Sequence, residues 1–148
     1  MLICTMLKNN FSGYQFEVGT DEAGRGCLSG PVVAAAVILP LDYHNKLLND
    51  SKQLSEAKRK KLRPIIEKDA LAFGVSFVNE KEVDQLNVLQ ASITGMHRAI
   101  AMMSITPEYI IVDGNKFKPY KDVPFETIVK GDAKYLSIAA ASVLAKTY

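Results

Sequence analysis

Residues 31–39, Pro-Val-Val-Ala-Ala-Ala-Val-Ile-Leu, form an unbroken apolar run that Pro40 closes. A continuous apolar stretch of this length between breakers predicts a buried β-strand. Residues from about 15 to 19 predict a first strand, and the two strands bracket Asp21-Glu22-Ala23-Gly24-Arg25-Gly26. Here two adjacent acids precede a glycine-arginine-glycine turn. Hard cations such as Mg²⁺ take oxygen ligands, while glycines flanking an arginine let main-chain N–H groups and a guanidinium approach a polyanion closely. The loop points to metal-dependent chemistry on phosphates.

The remainder alternates helices with strands. Ser55 is placed to cap a helix over about 56–67, with Pro64 predicted to bend or stop its late part. A strand is expected over 71–78. Val88, Leu89, Ile93, Met96, Ile100 and Met103 recur at helical spacing and predict a packed helix over 88–103. Residues 109–112 read as a short strand ending in Asp113-Gly114, and 125–129 as another ending in Lys130-Gly131-Asp132. Residues 135–148, rich in Ala, Ser and Leu, read as a helix that reaches the last residue with no cap or breaker, the mark of a truncated end with carbonyls left to solvent. The pattern as a whole predicts an α/β domain whose functional groups gather at strand ends.

A chain of 148 residues has room for one domain with a real core. Its 48% hydrophobic and 23% charged residues are ordinary for a globular protein. A net charge of +2 does not by itself announce a nucleic-acid binder, so local residues have to carry that argument. Cys4 and Cys27 lack metal-ligand spacing, which fits a reducing compartment and argues against a zinc site or a disulfide framework. The apolar opening is short and lacks the basic start of a signal peptide, and no segment reaches membrane-spanning length. The expectation is a cytoplasmic protein, a monomer with no membrane partner.

Asp21, Glu22, Asp113 and Asp132 each stand where an apolar strand-like run meets a glycine-containing loop. One such acid is an ordinary solvated turn residue. Four of them can converge, and grouped carboxylates repel one another unless cations neutralise them. Two divalent ions about 4 Å apart are one way to drive in-line displacement at phosphorus. A dinucleotide loop built on Gly24, Gly26 and Gly30 is rejected, because its spacing is wrong and Pro31 opens a strand where that motif requires a helix.

The acidic block is followed by Gly30-Pro31-Val32-Val33-Ala34-Ala35-Ala36-Val37, then by Asp50-Ser51-Lys52-Gln53-Leu54-Ser55 and Asp84-Gln85-Leu86-Asn87-Val88-Leu89. Val112-Asp113-Gly114-Asn115, Lys130-Gly131-Asp132 and the segment from Ser137 to Lys146 complete the series. Through these ordered blocks nearly the whole chain resembles ribonuclease HII, the type 2 ribonuclease H, in its bacterial form. The resemblance implies a ribonuclease-H-like mixed sheet flanked by helices. It also implies an endonuclease that cuts the RNA strand of RNA–DNA hybrids and incises 5′ of a single ribonucleotide in duplex DNA, leaving a 3′-hydroxyl and a 5′-phosphate. Asp21, Glu22, Asp113 and Asp132 match the family's metal-binding acids, served by Mg²⁺ or Mn²⁺. Gly24-Arg25-Gly26 matches the element that reads the ribose 2′-hydroxyl, the group that distinguishes RNA from DNA locally.

Lys52 follows a turn-forming Asp50-Ser51 and is a candidate phosphate contact. The Lys58-Arg59-Lys60-Lys61 run reads as a solvated helix face, His97 as structural, and Met96, Met102 and Met103 as core packing. Bacterial members of the family continue with an Arg-Asp pair and a C-terminal helical region whose tyrosine helps hold substrate. Tyr148 sits too early for that tyrosine, so the resemblance implies a catalytic domain that lacks this region. Three readings follow: a nuclease that keeps its metal chemistry, an inactive binder of hybrid duplexes, and an incomplete, aggregation-prone product.

Overall fold

The computed structural model describes residues 7–24, 31–49 and 54–148. Strand β1 (Glu17–Ala23) forms an antiparallel pair with β2 (Val32–Ile38), and β2 pairs with β3 (Ala72–Val78) in the same sense. On its other edge β1 runs parallel to β4 (Tyr109–Asp113), which runs parallel to β5 (Phe125–Ile128). The result is a five-stranded mixed sheet in the order β3-β2-β1-β4-β5, the architecture expected from the sequence.

Side chains alternate across this sheet with period 2, which sorts the core into two layers. Ala35, Val37 and Val75 face α2 (Glu56–Asp69) and α4 (Leu136–Thr147). Val18, Ala34, Ala36, Ile38, Ile110 and Val112 face α3 (Glu80–Met102) on the other side. Helix α4 is the central prop. Every residue from Leu136 to Ala145 is buried, consistent with a sequence apolar all round. A short helix, α1 (Lys46–Asn49), contributes fully buried Leu48 to the same layer.

Strand β1 does not stop at Gly19 as the sequence suggested. It continues through both acids, because β2 offers hydrogen-bonding partners as far as the Ala23↔Val33 pair. Asp21 and Glu22 are therefore strand residues rather than loop residues. Nor does Pro64 stop α2, which continues to Asp69. A helical proline costs about 3 kcal/mol, whereas burying Leu62 and Ile66, both at 0% exposure, returns roughly 1.5–3 kcal/mol each. Burial wins. Ser55 caps α2 as expected, accepting from Lys58 N at 3.2 Å.

Helix α3 begins eight residues before the periodicity suggested. Asn79 and Glu82 form a reciprocal capping box, an Asn-x-x-Glu signal present in the sequence. The expected start near Val88 is also real, since Asn87 breaks the helix at φ 66°, ψ 168° and caps its second part through Gln90 N. A straight helix would separate residues 82 and 98 by about 24 Å. Instead Arg98 Nη1 lies 3.1 Å from Glu82 Oε1, so the turn at Asn87 folds the first segment back along the second. Val83 on that segment packs with Val32 and Val78.

The lysine-rich run on α2 is largely solvated as expected, although Arg59 turns in to donate to Leu54 O at 2.8 Å. His97 is structural: its Nε2 meets Lys118 O at 2.9 Å and its ring edge packs on Phe117 and Tyr120. Met96 is core, but Met102 is 62% exposed at the end of α3, where none of the described elements covers it. The last turn of α4 is also better served than expected, because Arg63 Nη1 donates to Thr147 O at 2.8 Å and its guanidinium stacks 3.5 Å from the Tyr148 ring centroid.

Glu17, 4% exposed, accepts from Phe11 N at 2.9 Å and Ser12 N at 2.6 Å, tying the segment before β1 to the sheet. Removing a buried acceptor strands its donors. Glu17→Ala is expected to lower stability by about 1–3 kcal/mol and to expose the 7–14 segment to proteolysis, both measurable by urea unfolding and limited digestion. A loss under about 0.5 kcal/mol would mean that water replaces the carboxylate freely.

Candidate active site

Continuing the parallel register of Thr20↔Val112 by one residue brings Asp21 opposite Asp113. Both follow residues on the α4 side, where Gly19 meets Ser137 and Ile111 packs with Ile138. Their carboxylates therefore meet on one face of two adjacent strands, close enough for each to act on the other's charge. Glu22, the next residue of β1, takes the opposite face by strand alternation. Asp132 arrives on a single 3₁₀ turn, Gly131–Ala133, launched by Lys130 in the left-handed region at φ 56°. Its backbone N–H donates to Asp113 Oδ1 at 3.3 Å. Gly131 is closely fitted here, since a Cβ would fall 2.6 Å from Ile138 Cδ1.

The electrostatics follow from that placement. Asp21 is 4% exposed, and its carboxyl is pushed well above the usual carboxylate range, first by burial and then by Asp113, Glu22 and Asp132. The 2.8 Å hydrogen bond from Glu22 N to Asp21 Oδ1 only partly opposes this. Asp113 is also raised, by burial and by Asp132, with backbone donation from Asp132 working against it. Without a cation, a proton held between Asp21 and Asp113 relieves the repulsion.

Among the described residues, no three Asp, Glu, His or Cys side chains stand together as a closed metal-ligand group. Asp21 and Asp113 are the pair brought into direct contact, with Glu22 and Asp132 adding their charge to Asp21. The donor set fits a hard divalent cation, because every contributed group is a carboxylate and the charges need neutralising. Beside them lies a cavity of about 20 Å³ whose lining includes Glu22, Asp113, Ser92, Asn115 and Met96.

Gly24 follows β1 at φ +95°, and a Cβ there would lie 2.5 Å from Pro31 O. Only glycine satisfies both the backbone conformation and the space. Arg25, Gly26 and Lys52, the other expected substrate contacts, lie outside the described residues. The sequence reading did not single out Ser92. A serine on an otherwise apolar helical face gives no signal of what it faces.

A mixed five-stranded sheet flanked by helices, with acids at the ends of its two adjacent parallel strands, places the molecule in the ribonuclease-H-like class. Its backbone is similar to that of the ribonuclease H2 from Pyrococcus horikoshii, at a TM-score of 0.74 and 29% identity, covering 88% of this chain and 70% of that one. The ribonuclease HII of Archaeoglobus fulgidus, solved in complex with PCNA, gives a TM-score of 0.73 at 28% identity over the same shares. Ribonuclease HII of Parabacteroides distasonis is 61% identical over 134 residues, and that of Bacteroides thetaiotaomicron 59% over 132. The family profile described as ribonuclease HII matches residues 18–148. The chain belongs to the ribonuclease HII family. It spans about two thirds of the length of these relatives, 67% and 66% respectively.

Proposed function

We propose that this chain is the catalytic portion of an endonuclease that hydrolyses the RNA strand of RNA–DNA hybrids and incises 5′ of single ribonucleotides in duplex DNA. The observation that carries this reading is the Asp21–Asp113 pair on adjacent strands, Asp21 buried and Asp113 half-buried, with Glu22 and Asp132 adding like charge. So concentrated a set of carboxylates, in a chain of this family, is suited to a cation rather than to a fold's stability.

Asp21 and Asp113 would hold Mg²⁺ or Mn²⁺, with Glu22 and Asp132 completing the oxygen donors. A bound divalent cation supplies positive charge beside the phosphate and lowers the pKa of water. The chain's own work is to hold Asp21 and Asp113 in alignment, and the cation's charge would favour their ionised form against burial and mutual repulsion. Burial by α4 fixes their spacing, and the Asp132 N–H steadies one oxygen of Asp113. Gly24 makes the left-handed turn against Pro31 that leads into this loop, and its backbone with Arg25, Gly26 and Lys52 would offer donors for the 2′-hydroxyl and phosphates. The products would be a 3′-hydroxyl and a 5′-phosphate.

A second reading is a chain that binds hybrid duplexes without cutting them. One experiment separates the two. The purified chain is incubated with a duplex carrying a single ribonucleotide, with Mg²⁺ or Mn²⁺, beside an Asp113→Asn control. Incision 5′ of the ribonucleotide by the wild type alone is the expected result. Salt-dependent binding by a folded chain without incision would select the second reading. We further propose a cytoplasmic monomer. Among the described residues no helix is long and apolar enough to cross a membrane.

A further inference from the structure

Ser92 lies on α3 at 1% exposure, and its Oγ has no hydrogen-bond partner among the described residues. A buried hydroxyl in a helix ordinarily donates to the carbonyl one turn earlier or finds another acceptor. Ser92 does neither. It lines the cavity of about 20 Å³ that Glu22 and Asp113 also line. A water molecule needs about 10–15 Å³ and two to four polar partners. The volume suits one water, and Ser92, Glu22 and Asp113 are polar groups on its walls. Asn115 and Lys116 also line it, beside the apolar Leu89, Ile93 and Met96.

We infer that Ser92 is a positioning residue for the acidic site, holding through its hydroxyl an ordered water that bridges to the Glu22 carboxylate. The inference rests on the metal-site reading above and adds a residue to it. The hydrogen-bond count is consistent: the water accepts from Ser92 Oγ–H and donates a hydrogen to Glu22. It joins α3 to β1. Glu22 points to the α3 face, opposite Asp21 and Asp113, so a bridge from the helix layer gives it a fixed reference that the strand alone does not provide. Partners that orient ligands in this way contribute to affinity without touching the cation.

The test is Mn²⁺ titration by calorimetry on wild type, Ser92→Ala, Ser92→Thr and Asp113→Asn, with thermal melting of each in chelator. Ser92→Ala is expected to bind Mn²⁺ about 10-fold more weakly while melting close to wild type. Ser92→Thr keeps the hydroxyl and is expected to restore most of the affinity. Unchanged Mn²⁺ affinity in Ser92→Ala, with a higher melting temperature, would overturn the inference, since deleting a dry, orphaned hydroxyl from a core stabilises it. Equal weakening in Ser92→Ala and a folded Ser92→Thr would overturn it too, by assigning the effect to side-chain size. If wild type binds no Mn²⁺, or Asp113→Asn binds as well as wild type, the metal-site reading itself fails and takes this inference with it.

Discussion

Asp21→Asn is expected to make the metal-free protein more stable at neutral pH while cutting metal-dependent incision about 10³-fold or more, since a cation contributes several kcal/mol and each decade in rate is worth about 1.4 kcal/mol. The two effects have one cause. Burial, Asp113, Glu22 and Asp132 all disfavour the Asp21 carboxylate in the folded chain, whereas in the unfolded chain it ionises near pH 4, as a free aspartate does. Between that pH and the raised folded value, the native state holds the proton more tightly than the unfolded state. Stability therefore falls as pH rises through this window and levels off above it.

Asparagine at position 21 carries no charge, so the fall should shrink and the melting temperature at pH 7 in chelator should rise. For a chain of this size each kcal/mol corresponds to about 2–4 °C. Mg²⁺ or Mn²⁺ should raise the melting temperature of wild type and not of Asp21→Asn, because a cation that binds only the folded state stabilises it by mass action. Melting curves from pH 4 to 8, with and without metal, check both parts. A variant less stable than wild type at pH 7 in chelator would show that the Asp21 carboxylate supports the fold rather than strains it.

Gly19→Ala is expected to destabilise by about 3 kcal/mol or more, at or beyond the upper end of ordinary overpacking, and Gly19→Val to abolish cooperative folding. A Cβ at this position in β1 would collide with Ser137, at both its backbone carbon and its Oγ, and would lie 2.5 Å from Ile138 N. Backbone cannot rotate aside as a side chain can. Helix α4 would have to lift off the strand it covers, and with it the turn that carries Asp132 toward Asp113. Against a total stability of about 5–15 kcal/mol, such a loss leaves little margin. Urea unfolding measures it directly. A change below about 1 kcal/mol would mean that α4 slides without cost. The same close approach recurs on the other face, where a Cβ on Gly74 of β3 would strike Ala99 O of α3.

How much of this was legible beforehand differs element by element. Strands β2, β3, β4 and β5 were readable because short apolar runs lie between breakers, and α2 because Ser55 precedes a helical pattern. The missed first part of α3 carried its own signal, the Asn79-Glu82 capping box. The end of β1 could not be read locally, since Asp21 and Glu22 are poor strand formers held there by pairing with β2. The continuation of α2 through Pro64 likewise depended on what Leu62 and Ile66 found to bury against.

The sequence by itself determined the alternation of strands and helices, the candidate acids and the family the chain resembles, because periodicity, breakers and motif blocks are local patterns that survive without a fold. Only the tertiary structure decided that Asp21 and Asp113 share one face, that Asp132 reaches Asp113 through its backbone, that Gly19 admits α4, and that Ser92 lines the same cavity as Glu22. Each of these is a contact between residues far apart in the chain. Such contacts are set by strand register and by how closely two layers pack, and no window of sequence contains both partners.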